Sequence, residues 1–511
     1  MVKKMTLLLL LALLSSSNIF SQISFSAEFE SGSLGKTTLI DSVWFNTGKG
    51  DSTLYISYRI DSRFDPLNPV DTSLRPSARW YYFRIEGVKE KMVHLAVNNS
   101  EAIRPFYSYD GENFVRFSQG ENPEKGLIVK KFLKDTVYIS HFIPYTWSRH
   151  KSKLDEWSVK PFVTREIIGY SSKELPIEMI TIDESDLQNN DKEKRQIWIH
   201  GRSHPSEQPA SWHLEALTDL LLSDTREAKD LRRNSTIYII PFINPDGVYG
   251  GFSRSTSTGV NIEINWDRPD SLTMPEVLAL KRTLERVTAQ KPLDILLNMH
   301  SQIANYASYW IHNAESTTDK FLDNQLLLSA LTMDDRRFYR EEDQQFSAVA
   351  SRYAEGWIWN RFGERTLAIT FETPYTFYKE SPDEEWVSPG NLKELAEDTF
   401  YAIYDYLMIP GENRIIIEPE SLKGKGWRRG DRTLRTFFGD NYYIDETGNG
   451  KAIFRINNLE KGKYRVFNYK SNRWMEIDSI VKKRSGRFVY KVKSSLLGGE
   501  ADAIMLQKII N

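Results

Sequence analysis

The chain has 511 residues, of which 40% are hydrophobic, 13% aromatic and 27% charged, with a formal net charge of −2. That length exceeds one ordinary core and predicts two to four domains, while the near-neutral balance gives no argument for nucleic acid or an anionic membrane as partner. Cysteine is absent, which excludes disulfides and a lipidated N-terminal cysteine.

At the N-terminus, Lys3 and Lys4 precede an apolar run from Leu7 to Leu14, and small and polar residues follow from Ser15 to Ser21. This is the pattern of a secretory signal peptide, residues 1–21, cleaved before Gln22. The run is too short to span a bilayer and no later stretch is long enough, so no membrane span is expected. An exported chain of this size without cysteine reads as a secreted or periplasmic bacterial protein.

Residues 22–160 show short alternating runs, among them Leu54-Tyr55-Ile56-Ser57-Tyr58-Arg59, Trp80-Tyr81-Tyr82-Phe83-Arg84-Ile85 and Val137-Tyr138-Ile139-Ser140-His141-Phe142. Period-2 patterning broken by turn-formers such as Asp110-Gly111 predicts an N-terminal antiparallel β-sandwich domain. Over residues 161–410 the pattern changes. Apolar strand-like runs (196–200, 236–243, 295–300, 366–371) alternate with helical stretches (210–222, 275–289, 391–407). Such alternation predicts α/β structure around a central mixed, mostly parallel sheet with helices on both faces. Residues 411–511 return to β-patterning and predict a C-terminal accessory β-sandwich domain.

In open α/β sheets, ligands gather outside the carboxyl ends of the strands. The chemistry-bearing residues of this chain fall there. His204-Pro205-Ser206-Glu207 follows one strand-like run, and His300 ends another. Two imidazoles and a carboxylate suit a catalytic zinc ion, because three protein ligands leave a fourth position open. The His-x-x-Glu pair alone is weak, since 8 His and 69 acidic residues produce about one match by chance. A second pair, His312 and Glu315, could also draw on His300. The plainer alternative makes His300 a core histidine and Glu207 an acid favoured by a helix N-terminus. A metal-activated water also needs a proton carrier, and Glu372, closing the apolar run 366–371, is the candidate. Arg254, on a glycine-rich loop leaving a strand, is the candidate cation for a developing oxyanion, an ordinary salt bridge being its alternative.

The set His204-Pro205-Ser206-Glu207, Asn244-Pro245-Asp246-Gly247, Arg254 with Gly259 five residues on, Trp266, His300-Ser301 and Thr370-Phe371-Glu372 resembles the zinc metallocarboxypeptidase family, most closely its cytosolic-carboxypeptidase-like branch. Phe29-Glu30-Ser31-Gly32, Trp80-Tyr81-Tyr82-Phe83 and Pro144-Tyr145-Thr146 echo that branch's leading domain, so the likeness covers roughly residues 25 to 410. It implies a zinc hydrolase of peptide bonds in which Glu372 and the metal activate water, and Arg254 and the metal polarise the carbonyl. One departure is plain. Where the family carries Asn-Arg to hold a terminal carboxylate, this chain has Glu263-Ile264. The clamp is lost and a negative charge gained, so recognition of a free C-terminus should be altered. Glu263 is thus a candidate substrate-binding residue for an ammonium group or sugar hydroxyls; alternatively it pairs with an arginine such as Arg268. The family's active-site tyrosine has no clear match; gapless counting reaches Glu355, read as a helix-surface acid, with Tyr353 nearby.

The expectation is a secreted zinc metallopeptidase acting on a peptide, glycopeptide or peptidoglycan-derived substrate. A zinc esterase or deacylase would use the same groups, and a catalytically weak glycan- or protein-binding protein on the same fold is the alternative of another class. Oligomeric state is not written in the sequence.

Overall fold

Alternating burial along short strands builds the N-terminal part. The computed structural model describes residues 23–46, 52–99, 101, 103–184, 194–333, 337–378, 385–433, 435–439 and 441–510, so the expected signal peptide lies outside the described residues. The described residues divide into two compact units, one drawn from Met1–Arg63 and Ala78–Ile143, the other from Phe64–Ser77 and Pro144–Asn511. In the first unit, one sheet holds five antiparallel strands and the other holds four, of which Ser52–Asp61 and Met92–Asn98 run parallel. Ile56, Ile60, Val93 and Leu95 from one sheet share a core with Phe83, Ile85, Val137 and Ile139 from the other.

This division differs from the one expected from pattern alone. The helix Trp147–Trp157 sits with the second unit because its polar face is committed there. Arg149 pairs with Glu215 at 2.6 Å, and Trp157 Nε1 donates to Asp219 Oδ1 at 2.7 Å. Residues after 410 also stay in the second unit, where Arg414 pairs with Asp405 at 2.6 Å. They form antiparallel sheets around their own core, including Phe454, Tyr464, Val466, Val492 and Leu506.

The centre of the second unit is an eight-stranded mixed sheet. Ser235–Ile240, Arg195–Gly201, Ile295–Gln302 and Leu367–Pro374 lie side by side in that order and run parallel. Antiparallel pairings flank them, Pro176–Ile182 on one side and Ser308–His312 on the other. The parallel strands are buried on both faces. Trp198, Leu296 and Ala368 enter a core with Val277, Leu280 and Leu284 of the helix Pro275–Val287 and with Ile358 of the helix Ala354–Phe362. On the helix Gln208–Leu221, His213 Nε2 lies 3.0 Å from Thr399 Oγ1 of the helix Pro389–Tyr406. Each fully buried Leu or Ile in such a core stabilises by about 1.5–3 kcal/mol.

From the strand Arg195–Gly201 the chain crosses first to the neighbour on one side, Ser235–Ile240, and then to the neighbour on the other, Ile295–Gln302. That reversal opens a crevice beyond the carboxyl ends of the strands. No helix among the described residues is long and apolar enough to cross a membrane.

Candidate metal centre and active-site cavity

His204 follows the strand Arg195–Gly201 through a turn in which Arg202 is held at φ 60°, a left-handed conformation costly for a residue with a Cβ. The strain is held in place by contacts: the buried Arg202 guanidinium donates to Ser211 Oγ at 2.8 Å and to the Pro205 carbonyl at 2.7 Å. Glu207 stands at the N-terminus of the helix Gln208–Leu221, with Pro209 in the first turn. His300 lies inside its strand, opposite Glu372 in the parallel register.

These elements bring His204, Glu207 and His300 together, with one ligand atom from each within 4.8 Å of the others. His204 Nδ1 lies 2.8 Å from Glu207 Oε1, and His300 Nδ1 lies 2.7 Å from Glu207 Oε2. Each ring is held from behind. His204 Nε2 is 3.2 Å from Asn261 Oδ1, and His300 Nε2 is 3.1 Å from Glu263 Oε2. With a cation beside Glu207, the acceptors at both Nε2 atoms would keep the ring protons there and leave the Nδ1 lone pairs to ligate, the arrangement that orients metal-bound histidines. Two neutral imidazoles and one buried carboxylate fit zinc. His312 and Glu315 form no such cluster; among the described residues this is the one group with metal-ligand geometry.

Glu372 lies within the strand Leu367–Pro374. Trp310 Nε1 donates to its Oε1 at 3.1 Å, while Oε2 is buried without a partner. Burial, with Glu207 adding to it, pushes this carboxyl up to about 7. Arg254 Nη1 reaches to 3.6 Å from Glu207 Oε1. Its loop is fixed by Asp65, whose carboxylate accepts the backbone N–H groups of Ser253, Arg254 and Ser255 at 2.7, 2.8 and 3.1 Å. The segment containing Asp65 packs so closely that a Cβ on Gly259, itself at φ +86°, would meet the Leu67 carbonyl oxygen at 2.3 Å. The Asn244-Pro245-Asp246-Gly247 motif ties the loops together. Asn244 Nδ2 donates to the carbonyls of Ser203 and Ser255 at 3.0 and 3.2 Å, and a Cβ on Gly247 would strike Pro205 at 2.2 Å. His204, His300, Glu372, Arg254 and Glu263 all line one cavity of about 350 Å³.

A family model described as zinc carboxypeptidase matches residues 154–402. The chain carries a zinc carboxypeptidase domain. That domain makes the chain a hydrolase, and its cofactor is zinc. Among its relatives, an uncharacterized protein of Zymomonas mobilis is 24% identical over 358 residues, covering 66% of this chain and 90% of that one. Cytosolic carboxypeptidase 6 of Caenorhabditis elegans is 25% identical over 341 residues, covering 65% of this chain and 74% of that one. A metallo-carboxypeptidase from Burkholderia cenocepacia shares the fold, with a TM-score of 0.62 and 21% identity over 76% of this chain and 99% of that one.

Glu263 and Glu355 differ from what the sequence alone predicts. Glu263 does not pair with Arg268, whose guanidinium lies 3.9 Å from Asp267; its partners are His300 and Asn298. Glu355 is not a helix-surface acid. It is 3% exposed and lines the cavity, because a glycine follows it: a Cβ on Gly356 would meet the Ala350 carbonyl at 2.0 Å, so the helix Ala354–Phe362 presses against that segment and carries Glu355 inward. Asp65 and Arg202 were not singled out from sequence. Asp65 sits in a Pro-rich loop nearly 190 residues from its partners, so no local pattern marks it. Replacing Asp65 with Ala leaves its partner amides unpaired and frees the Arg254 loop. We expect kcat/KM to fall by about 10- to 100-fold with zinc content unchanged, since displacement of about 1 Å costs that much; metal analysis beside steady-state kinetics checks it.

Proposed function

We propose that the domain hydrolyses a peptide or amide bond, with Glu372 and Arg254 as its catalytic residues and altered recognition of the substrate's terminal carboxylate. The observation that carries this reading is the buried, unpartnered Glu372 Oε2 in the same cavity as the His204–Glu207–His300 cluster. His204, Glu207 and His300 would hold zinc, which would supply Lewis acidity and a water activated near neutral pH. Glu372, pinned at Oε1 by Trp310, takes a proton at Oε2 and returns it to the leaving nitrogen. Arg254, its loop fixed by Asp65, donates to the substrate carbonyl oxygen as negative charge develops there. Asn261 and Glu263 hold the two imidazoles in their ligating orientation.

Glu263 and Ile264 support a changed specificity, because neither side chain can make a bidentate bond to a carboxylate. Installing that guanidinium with Ile264→Arg should raise cleavage of free-acid peptides relative to their amides by about tenfold, the worth of one charge-assisted hydrogen bond; an unchanged ratio would show that this position does not read the terminus. The decisive test of the function is profiling of the purified protein on peptides, amides and sugar-linked peptides, with and without chelator. Chelator-sensitive cleavage supports the proposal, and cleavage indifferent to chelator overturns it.

We further propose export. The basic pair Lys3-Lys4 and the run from Leu7 to Leu14 support a signal peptide, although several relatives are named cytosolic carboxypeptidases. A secreted or periplasmic enzyme would meet peptidoglycan-derived peptides or glycopeptides. Cell fractionation with N-terminal sequencing should find the mature chain outside the cytoplasm, starting at Gln22; a full-length cytoplasmic chain would refute this.

A further inference from the structure

Two buried carboxylates that the proton chemistry leaves unused converge at one end of the active-site cavity. Glu263 is 6% exposed and Glu355 is 3% exposed, and both line that cavity. One amide serves both: Asn298 Nδ2 lies 3.0 Å from Glu263 Oε1 and 3.0 Å from Glu355 Oε1. Thr370 Oγ1 donates to the same Glu355 oxygen at 2.6 Å. Among the described residues, no lysine or arginine pairs with either acid. Glu263 has His300, which the metal claims, and the cavity's arginines, Arg254 and Arg352, are engaged with neither.

A second observation points the same way. In the cavity wall His312, 7% exposed, leaves Nε2 unpartnered. Behind the two acids the fully buried Asn298 leaves its Oδ1 without a hydrogen bond. Buried polar groups are ordinarily satisfied, and buried charges are ordinarily paired. A carboxylate or an aliphatic group entering here would leave the two acids without a counter-charge. An ammonium or guanidinium brings both the N–H donors and the opposite charge.

We propose that the part of the cavity lined by Glu263 and Glu355, with Asn298 buried behind them, receives a cationic group of the substrate, and that Glu355 is its specificity-determining residue. The inference rests on the reading of the cavity as the substrate site. Glu263 is shared between the cation and the orientation of His300, whereas Glu355 touches no metal ligand and is free to serve specificity alone. The exclusion works in both directions, since an acidic substrate side chain meets like charge here.

The test uses the full-length, zinc-loaded protein and two probes that differ by one ammonium group, Nα-acetyl-lysine methylamide and Nα-acetyl-norleucine methylamide, with binding read by calorimetry. The lysine probe should bind at least about tenfold tighter, a preference expected of a charge-assisted hydrogen bond in a dry site. Glu355→Gln should reduce the preference to about twofold, and Glu355→Asp should restore part of it. Equal binding of the two probes by the wild type overturns the inference whatever the variants do, as does a preference that survives Glu355→Gln in a protein of unchanged thermal midpoint. Hydrolysis is scored separately. Chelator-sensitive cleavage without any cationic preference removes this inference and leaves the proposed function standing. Cationic preference without cleavage of any substrate removes the proposed function and leaves the cation site.

Discussion

Replacing Glu372 with Gln should lower hydrolysis of every cleaved substrate by about 10²–10⁴-fold, the usual contribution of a positioned proton carrier, while zinc stays bound at one equivalent. The substitution is close to isosteric. Trp310 Nε1 can still donate to the remaining side-chain oxygen, so the strand Leu367–Pro374 and its register with His300 have no reason to move. What disappears is the basic oxygen at Oε2, which is buried and partnerless in the native chain. Keeping a carboxylate there, pushed up to about 7 by burial and by Glu207, is a cost to folding that Trp310, His300 and Arg254 offset only in part. Glu372→Gln should therefore leave the thermal midpoint unchanged or raise it. That sign separates a catalytic acid from a structural one, whose loss would lower both activity and stability. Glu372→Asp withdraws the carboxylate by one methylene and should retain more activity than Gln, yet far less than the native residue. A Gln variant within tenfold of wild type would remove Glu372 from the proton path.

The strands and helices around the site were legible because their signals are local. The runs at 196–200 and 295–300 match the strands Arg195–Gly201 and Ile295–Gln302, and the stretch 210–222 matches the helix Gln208–Leu221 within two residues. The metal group was legible through the spacing of His204 and Glu207 and the position of His300 in a strand. Three things were not. Glu372 looked like the end of its strand, yet pairing continues to Pro374, which a Thr-Pro boundary conceals. Glu355 looked like a surface acid because charge on a helix is usually solvated; only the close approach at Gly356, a tertiary fact, buries it. Sequence proximity points to Arg268 as the partner of Glu263, but the strand carrying His300 supplies it from 37 residues away. Pattern reading places elements well and long-range polar partners poorly, because burial and pairing are set by how strands and loops meet.

Glu207 is the residue on which the metal centre turns, and Glu207→Gln should cost more than about 100-fold in zinc affinity, beyond the effect of losing a group that only orients a ligand. Its two oxygens face His204 Nδ1 and His300 Nδ1, and its Oε2 also accepts the Ser301 backbone N–H at 3.1 Å. A glutamine in its place carries no charge and turns two hydrogens towards one of these neighbours, so the site loses an anionic ligand and gains a mismatched donor. The expected outcome is substoichiometric zinc by elemental analysis and loss of chelator-sensitive hydrolysis. Glu315→Gln, in the pair that has the same spacing but no metal geometry, should keep zinc at one equivalent. Stability gives a second readout. Zinc at 1,000 times its dissociation constant stabilises the folded chain by about 4.1 kcal/mol. Chelation should therefore lower the unfolding midpoint of the wild type and leave that of Glu207→Gln nearly unmoved. If both proteins respond to chelator alike, the ion is held by some other group, and the assignment of His204, Glu207 and His300 as its ligands fails.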